Sequence, residues 1–293
     1  MNKEKGRAIP KEKIINYIDI EQAIGEKNPT LLKLLPNFLI NYIKKIIHQD
    51  ELNKAITDHN HRYHLDFVDA AMEVFGPTTS AKGIENIPKD GGVFMTANHP
   101  LGGLEAIAMM KVVGSVREDI KFLVNDLLMA IKNFDTIFIP VNKHGKNTKE
   151  YMESINKTFG SDDCLLIFPA GLVSRLQDDK TIQDLTWKRS FVEKAVLHKK
   201  NVIPVHIDGR NSNFFYNLGY WRKKLGIKAN LEMFFLADEL FSQKGKNISF
   251  IFGKPISWET FTPDKPSEYW SEKVRQHVYA LKSGDKSKLL PTI

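Results

Sequence analysis

The chain has 293 residues, 42% of them hydrophobic, a single cysteine and a formal net charge of +7. That length allows one large or two small domains with an α/β-sized core, and the apolar share argues against disorder. One cysteine excludes an internal disulfide, residues 1–13 are too polar for a secretory signal, and no apolar run nears the ~20 residues of a spanning helix.

The expectation is a protein dissolved in a reducing compartment or lying on a membrane. Positive charge admits nucleic acid, an anionic membrane or an acidic partner. No zinc finger, basic zipper or RNA-recognition aromatic consensus is present, and the basic residues are scattered. No nucleic-acid partner is therefore expected, and the membrane surface is the better fit.

In chain order, the first patterned stretch is 28–48. Leu31, Leu35, Phe38, Tyr42 and Ile46 recur at three- and four-residue steps, as do Leu32, Leu39, Ile43 and Ile47. Pro36 divides the stretch into a short helix and a longer one. Its broad apolar face, flanked by Lys33, Lys44 and Lys45, suits a helix lying among lipid headgroups, and equally one packed on a catalytic body.

His59, His61 and His64 follow. His59 and His61 cannot share a helix face and no Glu or Cys completes a ligand set, so a solvated helix end and no metal are expected. A change of pattern at Phe75-Gly76-Pro77 separates a helical, membrane-facing region, 1–75, from an α/β body, 76–293.

From there strands and helices alternate. Strands are predicted at 93–97, 136–141, 164–169, 202–207 and 248–252. Helices are predicted at 148–159, with Met152, Ile155 and Phe159 on one face, and at 187–199, with Trp187, Phe191 and Ala195 four apart. Such alternation implies a mostly parallel sheet flanked by helices, with ligands bound beyond the carboxyl ends of the strands.

His99, Asn142, Gly171 and Asp208 each follow a strand and should gather at one edge. Cys164, in an apolar run, reads as a buried structural thiol. The rings and cations of 213–224 suit a membrane interface or a core beside a basic turn. Neither a Gly-x-Ser-x-Gly elbow nor a nucleotide-binding glycine loop is present.

The most informative segment is Asn98-His99-Pro100-Leu101-Gly102-Gly103-Leu104-Glu105, between a buried strand and an apolar helix. In a continuous helix, residues six apart face away from each other. Pro100, Gly102 and Gly103 break the helix, so the Glu105 carboxylate can fold back to the His99 ring. A carboxylate on one ring nitrogen fixes the tautomer and frees the other nitrogen to take a proton, which is the wiring of a general base.

These residues resemble the glycerolipid acyltransferases, the lysophosphatidate acyltransferase group, and within them the bacterial hemolysin-like branch that makes ornithine and glycine lipids. The likeness runs from about Asn28 to Pro255 through four segments in order. They are the His99 segment, Phe138-Ile139-Pro140-Val141-Asn142-Lys143, Phe168-Pro169-Ala170-Gly171-Leu172-Val173-Ser174-Arg175, and Val202 to Ser212.

The broad family places an aspartate one residue nearer the histidine, where Leu104 stands here. Many members also have a glutamate where Ala170 stands, contacting a glycerol backbone. The second departure favours an acceptor other than a glycerol phosphate, such as an N-acylated amino acid bearing a hydroxy fatty chain.

The resemblance implies an O-acyltransferase on the cytoplasmic face of the bacterial inner membrane. It would move an acyl group from acyl carrier protein or CoA to a lysolipid hydroxyl, with no cofactor. His99 would be the base and Glu105 its orienting acid. Asn98, Asn142, Lys143, Phe168, Pro169, Gly171, Ser174 and Arg175 would line the substrate site. Within that set, the Gly171 N–H would face the oxyanion, and Arg175 and Lys143 would hold an anionic head or the donor's phosphate. His206 and Asp208 would shape the pocket. Amine acylation, lysophosphatidate acylation and an idle lipid-binding protein stand as alternatives.

Overall fold

The structure, a computed structural model, describes residues 17–124, 126–140 and 149–293. Five helices come first: α1 (Ile20–Lys27), α2 (Pro29–Leu34), α3 (Asn37–Ile46), α4 (Gln49–Asp58) and α5 (His64–Phe75). The body then runs β1 (Thr78–Lys82), β2 (Val93–Ala97), α6 (Leu104–Gly114), β3 (Ile120–Val124), β4 (Phe138–Pro140), α7 (Lys149–Gly160) and β5 (Cys164–Ile167). A hairpin of β6 (Arg175–Leu176) and β7 (Ile182–Gln183) leads to α8 (Ser190–His198), β8 (Asn201–Asp208) and α9 (Asn213–Lys224). The chain closes with α10 (Leu236–Phe241), β9 (Asn247–Phe252) and α11 (Ser267–Ser283).

Seven strands form one sheet in the order β1-β9-β8-β2-β5-β3-β4. Every pairing is parallel except β8 with β9, so the sheet is mostly parallel, as the alternation of elements predicts. Central strands β2 and β5 are buried along their whole length. That is why they read as unbroken apolar runs. Along β2, Val93, Met95 and Ala97 join one core cluster with α5 and α6, while Phe94 joins the cluster on the opposite face with Phe191 and Val274.

The pattern change at Phe75 marks a change of element within one core. Phe67, Val68 and Phe75 of α5 pack in the same cluster as Met95, Met109 and Val205. Burying each such side chain contributes about 1.5–3 kcal/mol, so α5 is integral to the body's stability.

Pro36 does break the early amphipathic stretch, separating α2 from α3. Ile40 and Ile46 turn inward, whereas Leu34, Phe38 and Tyr42 stand in solvent. Helix α9 divides likewise: Phe215 and Tyr216 are buried, Phe214 and Trp221 exposed. Among the described residues no helix is long and apolar enough to cross a membrane.

Candidate active site

Strand β2 delivers His99 to the carboxyl edge of the sheet, and α6 opens with Glu105 in its first turn. Between them the chain reverses through Gly102, whose φ of +93° is left-handed, and whose missing Cβ would meet the Leu236 side chain at 2.8 Å. Glu105 is fully enclosed. One carboxylate oxygen, Oε1, accepts from the N–H of Leu101 at 2.8 Å, the N–H of Gly102 at 2.9 Å and His99 Nδ1 at 2.8 Å. The other accepts from the N–H of Gly103 at 2.8 Å. A six-residue separation thus gives the turn three N–H groups with which to cradle the acid.

Burial alone would push the Glu105 carboxyl up. The His99 ring and the donors of Gly102 and Leu101 outweigh it and hold the group below its ordinary value. Burial likewise pulls His99 down, but Glu105, aided by Asp184, wins and raises the ring above 6.5. With Nδ1–H donated to an ionised acid, Nε2 is left as the proton acceptor.

A residue the sequence reading passed over, Asp184, fixes the backbone beneath the ring. The N–H of His99 donates to its two oxygens at 3.1 and 3.3 Å. Ser174 Oγ donates to Oδ1 at 2.5 Å and Trp187 Nε1 to Oδ2 at 2.8 Å. The Ser174 N–H reaches the His99 carbonyl at 2.7 Å, so the His99 peptide is held on both sides. Burial raises the Asp184 carboxyl against the pull of these donors. The Asp-x-x-Trp spacing before α8 was the available signal, but nothing in sequence revealed that the acid is buried.

Seven of the eight other expected site residues separate into three groups. Phe168, Pro169 and Gly171 line the cavity beside His99, and the Phe168 ring stacks on the imidazole at 4.4 Å. Asn98 and Ser174 are buried and structural. The Asn98 amide pairs with both the N–H and the carbonyl of Ile207, tying β2 to β8. Asn142 and Lys143 lie outside the described residues.

Three roles are corrected. The Gly171 N–H donates to the Phe168 carbonyl at 3.0 Å within its turn, so it is committed and does not face an oxyanion. Arg175 points into a buried cluster, 3.0 Å from Glu232, which also binds Arg222 at 2.7 Å. Its guanidinium is held there by the Val173 carbonyl and the Phe215 ring, and it does not line the cavity at His99. Asp208 is paired with Lys282, and His206, driven to about 4 by burial, faces Tyr279. Neither shapes the cavity.

That cavity measures about 670 Å³, within the range of small-molecule sites. One part runs beneath α4 and α5 past Leu52, Ile56, Phe67 and Phe75 to Met110. Another passes Phe168 towards Phe159, Ile167 and Phe191, with Lys188 and Lys194 on its wall. Apolar side chains dominate it, as a fatty chain requires. The geometry provides a base with a fixed tautomer, an anchored backbone and a greasy chamber beside it.

The sequence profile of a family described as Acyltransferase matches residues 22–287. The lyso-glycine lipid O-acyltransferase of Bacteroides thetaiotaomicron is 43% identical over 265 residues, covering 90% of this chain and 97% of that protein. Its namesake in Phocaeicola vulgatus is 40% identical over 268 residues, covering 91% and 96%. Among solved structures, the 1-acyl-sn-glycerophosphate acyltransferase of Thermotoga maritima is similar at a TM-score of 0.47 and 14% identity, over 76% of this chain and 80% of that one.

Proposed function

The chain belongs to this acyltransferase family, and from that premise we propose that it transfers a fatty acyl group from a thioester to the hydroxyl of a lyso-amino-acid lipid, a lyso-glycine lipid first of all. The observation that carries the reading is the His99–Glu105 pair, 2.8 Å apart at the wall of an apolar chamber.

A lipid hydroxyl is a weak nucleophile at neutral pH. His99 Nε2 removes its proton as the oxygen attacks the thioester carbonyl, and Glu105 stabilises the imidazolium that forms. The tetrahedral intermediate collapses with loss of the C–S bond. The departing thiolate takes the proton back from His99, leaving an ester and a free thiol. No cofactor enters the balance.

Acyl carrier protein is the donor we favour, since a chain of charge +7 suits an acidic partner. Exposed Leu34, Phe38 and Tyr42 beside Lys33 and Lys45, and Phe214 and Trp221 beside Lys223, suit an anionic bilayer on the cytoplasmic face of the inner membrane. Ring contact between Phe214 and Phe235, and contact of α3 with the turn Leu231–Phe235, make the two patches neighbours. Replacing Phe38 and Trp221 together with serine should lower co-sedimentation with anionic vesicles at least severalfold. Unchanged sedimentation would remove this surface from the proposal.

The direct test incubates purified protein with an acyl thioester and N-(β-hydroxyacyl)glycine, and follows lipid products by mass spectrometry. An ester product with equimolar free thiol is expected. An amide product, no thioester consumption, or faster acylation of lysophosphatidate would overturn the reading.

A further inference from the structure

We infer that Lys188, seconded by Lys194, forms a carboxylate-binding subsite that holds the acidic head of the acceptor while His99 works on its hydroxyl; the inference rests on the acceptor class proposed above. The cavity's ionisable lining consists, among the described residues, of His59, His99, Lys188 and Lys194, with no Asp or Glu. Its wall therefore carries positive charge with no lining carboxylate against it, Lys188 standing on the solvent-exposed side.

Lys188 is the better placed of the two. Its N–H donates to the Pro169 carbonyl at 3.0 Å, and its own carbonyl accepts from Ser271 Oγ at 3.3 Å, so the backbone is fixed on both sides. Its ammonium lies 3.2 Å from where a Cβ on Gly171 would stand. Gly171 closes the turn that begins at Phe168, and Phe168 stacks on the His99 ring. One turn of chain thus separates the cation from the base.

The neighbouring Arg189 is taken up by Glu193 and Glu268. The Lys188 ammonium makes no such ion pair among the described residues. Lys194 meets a neutral partner, the side-chain amide oxygen of Asn156, and makes no ion pair among the described residues.

An N-acylated glycine bearing a β-hydroxyl carries its carboxylate a few bonds from the oxygen to be acylated. A charged hydrogen bond at that distance would place the hydroxyl against Nε2 and reject neutral long-chain alcohols. The arrangement therefore selects acceptors by the acid at their head as well as by their chain.

The test compares N-(β-hydroxyacyl)glycine with its methyl ester, at saturating acyl thioester, in the wild type and in Lys188→Gln and Lys188→Glu. The wild type should prefer the free acid by about 10- to 100-fold in kcat/KM, the worth of a charged hydrogen bond. Lys188→Gln should bring the ratio towards one, mainly through KM for the acid, and Lys188→Glu should invert it. Lys188 is solvent-exposed, so both variants should fold, which thermal unfolding checks.

An undiminished ratio in Lys188→Gln overturns the subsite. So does a rise in KM for the thioester, read in a second series that varies it at fixed acceptor, that is equal with both acceptors, which would assign the lysine to the donor's phosphate. Wild-type protein that acylates neither compound overturns the functional reading itself, and the subsite with it.

Discussion

Among the described residues two glutamates, Glu105 and Glu232, are completely enclosed, and one of the two stands at a chemical centre. Glu232 is neutralised by the guanidinium groups of Arg175 and Arg222. Glu105 is held by three neutral N–H groups and one imidazole. The first arrangement is closed and has nothing to exchange. The second can give up or accept a proton on the far side of the ring while the acid stays satisfied. A buried carboxylate therefore serves catalysis when its compensation comes from dipoles plus one group that titrates and has a free face.

The sharpest way to break the contrast is His99→Ala, which should lower kcat by about 10,000-fold, the upper end of what a positioned base supplies. The cradle of N–H groups remains, so the thermal midpoint should move little. Turnover within tenfold of wild type would refute the assignment.

Next, Glu105→Gln should cost about 1,000-fold, because an amide cannot stabilise the imidazolium and its NH2 would oppose a donor of the turn. The same variant has a pH signature. His99 must be neutral to act, and Glu105 holds it above 6.5, so wild-type kcat/KM should fall as pH drops through that raised value. Without the carboxylate, burial and Arg175 pull the ring down against Asp184 alone, and the acidic limb should move to lower pH. An unmoved limb would show that the pair is not coupled.

A smaller loss is expected from Asp184→Asn, about 10- to 100-fold in kcat with KM little changed, since the amide keeps some hydrogen bonds but not the charge. An equal rise in KM would point to general disorder of the site instead.

Least affected in activity should be Arg175→Met. Removing one partner of a buried pair costs about 3 kcal/mol of stability, measured by denaturant unfolding, while kcat should stay within about tenfold. A catalytic loss as large as that of Glu105→Gln would return Arg175 to the substrate site.

Much of this was visible in the residues. Strands buried on both faces, such as Val93–Ala97 and Cys164–Ile167, carry short apolar runs of strand length. Edge strand Thr78–Lys82, polar and mostly exposed, carries no such pattern and was missed. Ile120–Val124 was missed because Lys121 interrupts its apolar run. The helix expected from Trp187 begins only at Ser190, because the Trp187 indole is tied back to Asp184.

Within the site, the His99–Glu105 contact was legible from local chain chemistry. Arg175 was misjudged because its partner, Glu232, is distant in sequence. Asp184, Lys188 and Lys194 acquire meaning only through the fold, which sets them around a ring more than eighty residues upstream.

The His99 peptide is gripped at its N–H by Asp184 and at its carbonyl by Ser174, while Phe168 covers one side of the imidazole. Little rotational freedom is left for the ring to lose when the alcohol arrives, so the search for the reactive orientation was completed at folding. The activation entropy of the chemical step should accordingly be small, and loosening the Arg175–Leu176 hairpin arm that carries Ser174's neighbour should make it more negative.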